Sequence, residues 1–144
     1  MNEMIQTRRR IDWLVAALAI AVGLLAAGNG LAMLIAPKTW FWSVDGVALT
    51  GGYNAHFIRD IGMVYLLTGA AMFAGLARPA QRALLWTAAA GWLMAHALFH
   101  LWEVAAGICG PEAIARDFLG VTLPGVIATG LAAHAVRRGR AARL

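Results

Sequence analysis

Residues 11–36 read IDWLVAALAIAVGLLAAGNGLAMLIA and contain a single charged side chain, that of Asp12. An apolar run of this length can cross the hydrocarbon core of a bilayer as a helix, which takes about 20 residues. Three other stretches are similarly long and apolar. The length of all four stretches and their lack of strict polar–apolar alternation favour helices over barrel strands. The sequence therefore predicts an all-α integral membrane four-helix bundle, with the other spans at residues 56–77, 81–106 and 117–136.

The composition is typical of a chain whose solvent is lipid. Hydrophobic residues make up 61% of it and charged residues only 13%, whereas about 25% of the residues of a soluble domain are charged. The isoelectric point is near 10.7, but the basic residues stand at the ends of the apolar runs. They form no stripe with interleaved aromatic residues, so we expect the lipid bilayer as the partner and no nucleic acid.

The arginines predict the direction of the spans, because positive side chains collect on the cytoplasmic side of a membrane. They precede the first apolar run, bracket the link between the second and third, and follow the fourth: Arg8, Arg9, Arg10, Arg78, Arg82, Arg137, Arg138, Arg140 and Arg143. Both termini and the short link are therefore expected on the cytoplasmic side.

The longest outer segment covers residues 37–55 and is rich in aromatic residues and glycine, including Trp40, Trp42 and Gly51. We interpret it as an outer loop that lies on the membrane interface or dips into it. No repeat or linker divides the chain, so residues 1–144 are expected to form one transmembrane domain. Cys109 is the only cysteine, which excludes an intrachain disulfide and leaves the role of this residue open.

Polar side chains collect at the outer ends of the predicted spans. Ionisable residues inside a membrane are costly, so each one is a candidate functional residue. At about 100° per residue, His96, His100 and Glu103 fall within about 60° of one another on the third helix. His56 and Asp60, four residues apart, share a face of the second helix. These five residues form the predicted site; the outer ends also carry Asn29, Arg59, Arg116 and Asp117.

Three kinds of chemistry fit this pattern. The first is a metal site formed by His56, Asp60, His96, His100 and Glu103, since imidazole and carboxylate ligands suit zinc, iron or copper. The second is haem, held by His56 together with His96 or His100, or by Met63 opposite a histidine. The third needs no cofactor: general acid–base catalysis on a lipophilic small molecule such as a quinone or lipid, with the catalytic residues His56, Asp60, His100 and Glu103.

A structural interpretation competes with these three. Arg59 and Arg116 could pair with Asp117 and Asp60 and hold neighbouring helices together, and Asn29 could orient a helix or a substrate. The chain would then be a non-catalytic accessory or assembly subunit of a membrane complex, such as a redox complex, and its polar residues would be structural. The sequence also leaves the oligomeric state open, between a homo-oligomer and a larger complex.

The motif Phe-Ile-Arg-Asp-Ile-Gly at residues 57–62, followed by Tyr65 and Gly69, resembles a short motif of small bacterial four-helix membrane proteins, the broad DoxX-like group and its relatives. The overall length and the layout of the apolar runs are similar as well. The resemblance implies a multi-pass protein of the bacterial inner membrane and an association with respiratory or redox complexes. It supplies no catalytic residues.

Overall fold

The computed structural model describes residues 2–141, apart from the side chains at positions 2, 4, 5, 8 and 9. The predictions for the side chains of Arg8 and Arg9, and for Arg143, lie outside this part of the chain. The described residues are helical and contain no strand. The six α-helices are α1 Asn2–Ile35, α2 Pro37–Ser43, α3 Ala55–Ala77, α4 Arg82–Ala105, α5 Glu112–Asp117 and α6 Leu123–Ala141.

Four helical segments are long and apolar enough to cross a membrane, which confirms the predicted number of long helices. The apolar span Arg10–Ile35 agrees with the predicted residues 11–36, although helix α1 itself begins earlier, at Asn2. The fourth span is longer than predicted and covers Glu112–Ala141 rather than residues 117–136. The predicted outer loop at residues 37–55 contains the short helix α2, because Pro37 at the first helical position breaks α1 and starts the next helix.

Local sequence fixes where the long helices begin and end. The side chain of Asn54 caps α3 by accepting hydrogen bonds from the backbone N–H groups of His56 and Phe57, both at 3.1 Å. The helix ends at Ala77, two residues before Pro79, and a single 3₁₀ turn leads into α4. Residues 78–81 therefore make a tight link, and α3 and α4 run antiparallel as neighbours.

The helices pack as two pairs. Helix α1 packs mainly on α3 and α4 mainly on α6, while α3 and α4 join the pairs and α1 touches α6 only sparsely. One end of the bundle carries the chain termini and the link at 78–81, and we call it the link end. The opposite end carries residues 36–54 and 106–111, and we call it the loop end.

Glycines bring the backbones of α1 and α3 into contact. A Cβ atom added at Gly30 would lie 2.6 Å from the carbonyl oxygen of Gly62 and 2.7 Å from the backbone nitrogen of Leu66. At Gly69, an added Cβ atom would lie 2.8 Å from both the backbone nitrogen of Ala27 and the carbonyl oxygen of Gly23. These distances are too short for any side chain, so the close crossing of α1 and α3 requires glycine at these positions.

Trp86 closes the bundle at the link end. Its side chain is fully buried, and its indole N–H donates to the carbonyl oxygen of Met72 at 3.1 Å. The guanidinium group of Arg82 lies 5.2 Å from the indole and donates through Nε to the carbonyl oxygen of Gly75 at 2.8 Å. These bonds satisfy the polar groups of both side chains, so the packing at this end is tight.

The contact between α1 and α3 gives a test of the fold. We expect Gly30→Ala to lower the free energy of unfolding by about 1–3 kcal/mol, because backbone atoms of α3 block the new methyl group and must move. Gly28→Ala is the matched control: it lies in the same helix with nothing within 4 Å of an added Cβ atom. Alanine favours a helix more than glycine does, so this variant should be neutral or slightly stabilised.

Reversible unfolding of the two variants in detergent, followed by circular dichroism, makes the comparison. Equal stability of Gly30→Ala and Gly28→Ala would contradict a close backbone contact at Gly30.

Candidate functional site

A cavity of about 670 Å³ lies between the helix pairs in the half of the bundle nearer the loop end. Its walls come from α1, α3, α4 and the start of the α5–α6 segment, and the loop after α2 covers it. Aromatic side chains provide much of the wall: Trp40, Phe41, Phe57, Tyr65, Trp92 and Phe99. The sparse contact between α1 and α6 and the tight one between α1 and α3 leave this space open.

A hydrogen-bonded row of polar groups lines the loop end of the cavity. His100 Nδ1 lies 2.8 Å from Asp117 Oδ2, and the side chains of both residues are largely buried. The same carboxylate binds the Arg116 guanidinium, with 2.8 Å from Nε to Oδ1 and 3.1 Å from the terminal nitrogen to Oδ2. Because a carboxylate only accepts hydrogen bonds, His100 donates to Asp117 from Nδ1, and in a neutral imidazole ring this leaves Nε2 as an acceptor.

A wide turn of helix sets the position of Asp117. Residues Phe118–Thr122 form a π-helical turn between α5 and α6. Pro124 lies two residues after this turn, and because proline has no N–H group, a regular α-helix would lose its bond to the carbonyl group of Gly120 here. Turns of this kind occur often at functional sites, and this one allows Asp117, Gly120 and Pro124 all to line the cavity.

Aromatic rings stack below His100 along α4. The rings of His96 and His100 are 4.7 Å apart, and Trp92 stacks on His96 at 5.8 Å with an angle of 16° between the ring planes. Tyr65 of α3 meets the edges of both Trp92 and His96. The indole Nε1 of Trp92 is buried and has no hydrogen-bond partner among residues 2–141.

The loop end also holds an acidic residue of low exposure and a fixed loop. Glu103 is 8% exposed and lines the cavity. Trp40 of α2 donates from Nε1 to the side-chain oxygen of Asn29 at 2.8 Å, which ties α2 to α1. Gly46 has a φ of 88°, and its backbone lies directly against the Arg116 guanidinium. The loop that covers the cavity is therefore fixed at two places: next to α2 by the bond between Trp40 and Asn29, and at Gly46 by the contact with Arg116.

The structure does not bring His56 and Asp60 to this cavity. They pair with each other at 3.2 Å on the outside of α3, where 88% and 47% of the two side chains is exposed. At about 100° per residue, both lie about 160° around the helix from Ile58, which lines the cavity. Arg59 donates to the carbonyl oxygen of Leu34 at 3.3 Å rather than to Asp117. Arg116 likewise pairs with its neighbour Asp117, not with Asp60.

The predicted metal site is therefore not supported. His56 and Asp60 face away from the other three residues of the predicted site: His96, His100 and Glu103. Within residues 2–141, no group of three or more histidine, cysteine, aspartate or glutamate side chains could hold a metal ion. The haem interpretation stays a prediction; His56 and Met63 both lie on the exposed outside of α3, and neither lines the cavity.

Sequence reasoning missed the direct bond between His100 and Asp117, although it selected both residues. The signal was available in the connection between them. His100 lies near the end of one long helix and Asp117 near the start of the next, so an antiparallel pair brings them to the same depth. It also missed Tyr65 and Trp92 as walls of the site; both share the helix faces of the small residues that pack inward.

No family model, no curated protein and no solved structure matches this chain. The resemblance to the DoxX-like group stays a prediction.

The contact between Gly46 and Arg116 leads to a prediction about the covering loop. Gly46→Ala should raise hydrogen–deuterium exchange of residues 44–54 by a factor of about 5–30, because an L-residue at this φ costs about 1–2 kcal/mol and its methyl group displaces Arg116. Gly51→Ala is the control, since an added Cβ atom meets nothing there and the φ is not positive.

Exchange measured by mass spectrometry on the purified protein distinguishes the two variants. The same exchange rate in Gly46→Ala and Gly51→Ala would show that Arg116 does not hold the loop.

Proposed function

We propose that the chain is a multi-pass protein of the bacterial inner membrane that binds a lipophilic small molecule in the loop-end cavity, with His100 as its polar contact. The observation that carries this proposal is the cavity itself: largely apolar and aromatic walls around one oriented histidine. Ligand sites in proteins are typically pockets of about 300–1,000 Å³ with a few polar groups that fix orientation. The volume of about 670 Å³ falls within that range.

Several features support membrane insertion. The four long segments have mean hydropathies between 1.3 and 2.1, and much of each lies exposed on the bundle surface. Large apolar side chains project outward from all of them, such as Leu24, Leu67, Leu84 and Leu119. Such a surface is unfavourable in water and favourable in lipid. The arginines near the link end support a cytoplasmic location for both termini, which puts the cavity on the periplasmic side.

The orientation can be tested with single cysteines in a Cys109→Ser background. We expect a membrane-impermeant maleimide to label Gly51→Cys in intact spheroplasts, because the covering loop faces the periplasm. Arg78→Cys, in the link at the opposite end, should be labelled only after the membrane is permeabilised. Both positions are exposed in the structure. Labelling of Arg78→Cys alone in intact cells would reverse the proposed orientation.

The His100–Asp117 pair supports a role beyond packing. With its Nδ1 proton held by Asp117, His100 can accept a hydrogen bond or a proton through Nε2. An aspartate in this position also stabilises the imidazolium that forms when the proton is taken up. A lipophilic molecule with a hydroxyl or other polar head group, such as a lipid or a quinone, would place that group at His100 and its apolar part among the aromatic side chains.

Gly120 and Gly130 provide a matched test of binding. Both are exposed glycines in the α5–α6 segment with nothing within 4 Å of an added Cβ atom, but only Gly120 lines the cavity. We expect Gly120→Trp to occupy cavity space and to lower ligand binding by roughly tenfold or more, a loss of about 1.4 kcal/mol. Gly130→Trp should bind as the wild type does.

The probe is a hexadecanol that carries a photoreactive diazirine in its chain, and cross-linked residues are located by mass spectrometry of the reconstituted protein. Cross-links at cavity residues such as Tyr65 and Trp92 should disappear in Gly120→Trp. Cross-links at the outward-facing Leu67, which is 70% exposed, serve as the internal reference for contact with bulk lipid. If wild type and Gly120→Trp give the same cross-links, the cavity does not bind the lipophile, and the accessory-subunit interpretation is favoured.

A further inference from the structure

The side chain of Glu103 lines the cavity without a hydrogen-bond or ion-pair partner among residues 2–141. The residue is 8% exposed and lines the cavity near its loop end. Among residues 2–141, no side chain forms an ion pair with it and none donates a hydrogen bond to it. A carboxylate in a largely buried position is more stable beside a positive charge than without one, so this group favours a cationic partner.

The other charges of the cavity do not provide that partner. Arg116 is the only lysine or arginine among the described residues that line it, and its guanidinium binds Asp117 through two hydrogen bonds. The lining also includes a third carboxylate, Asp45, at the exposed rim. Three carboxylates therefore face one guanidinium, and the cavity has an excess of negative charge.

The walls around Glu103 suit a positive charge as well. Trp40, Phe41, Tyr65, Trp92 and Phe99 line the same cavity. The face of an aromatic ring attracts a cation, and several rings around a space are typical of sites that bind quaternary ammonium groups. A carboxylate together with aromatic walls thus favours a ligand that carries both a positive charge and apolar substituents.

We propose that the ligand of this cavity is a lipophilic cation, an amine or a quaternary ammonium or phosphonium group with apolar substituents, whose charge is neutralised by Glu103. This inference rests on the proposed function, because it names the chemical class of the molecule that the cavity takes. His100 and Asp117 line the same end of the cavity and would lie near the same head group.

The test compares two ions of the same shape and opposite charge, tetraphenylphosphonium and tetraphenylborate. Each is titrated by calorimetry against the wild type and variants in nanodiscs of zwitterionic lipid, with empty nanodiscs as the blank. We expect Glu103→Gln to raise the Kd of tetraphenylphosphonium roughly tenfold or more, because the neutral amide no longer offsets the charge. The affinity of tetraphenylborate should not fall.

Two further variants complete the design. Glu112→Gln removes an exposed carboxylate near the same end of the bundle that does not line the cavity, so it should bind both ions as the wild type does. Glu103→Asp keeps the charge on a shorter side chain and should bind tetraphenylphosphonium better than Glu103→Gln. This comparison keeps the test informative if Glu103→Gln loses stability, which thermal unfolding of all three variants will show.

The outcomes separate this inference from the proposed function. Equal binding of tetraphenylphosphonium by Glu103→Gln and the wild type would overturn the cation assignment. If the diazirine probe still labels the cavity in that case, the proposed binding of a lipophile stands and only the charge class fails. If neither the ions nor the probe reach the cavity, both proposals fail.

Discussion

The backbone contact between α1 and α3 is the constraint on which the rest of the structure depends. Gly30 and Gly62 let the two helices approach until backbone atoms meet, and no side chain fits between them. A helix held this close to one neighbour is drawn away from the other. Helix α1 accordingly touches α6 only sparsely, and the cavity occupies the space between the helix pairs. The cavity is thus a consequence of packing elsewhere in the bundle.

The two ends of the bundle differ in what fills them. At the link end a large side chain, Trp86, is fully buried and hydrogen-bonded, and its indole lies directly against Gly75. At the loop end the π-helical turn before Pro124 directs Asp117 toward His100, and the polar row takes the place of apolar packing. The link end is therefore occupied by buried packing, and the polar groups of the candidate site lie at the loop end. This agrees with the common division of a protein into a rigid scaffold and a site.

The sequence predicts the long helices well because their length and apolar composition suffice. It also places His96, His100 and Glu103 on one face of α4, because helical spacing determines which residues share a face. Spacing does not determine which face turns inward, and this is why the sequence grouped His56 and Asp60 with residues that the structure places elsewhere. On α3 the inward face is the one that carries Gly62, Tyr65 and Gly69, and the polar pair lies on the opposite side. The π-helical turn and the pairing of His100 with Asp117 depend on contacts between helices, which residue spacing does not contain.

The burial of Trp86 has a kinetic consequence. Because this buried side chain occupies the link end, a molecule bound in the cavity would enter and leave from the loop end or from the side of the bundle, not through the link end. A cavity of this size would hold one molecule at a time, so a second molecule could bind only after the first had dissociated. Exchange of occupants would then be governed by the residence time of the bound molecule and not by its concentration in the surrounding membrane.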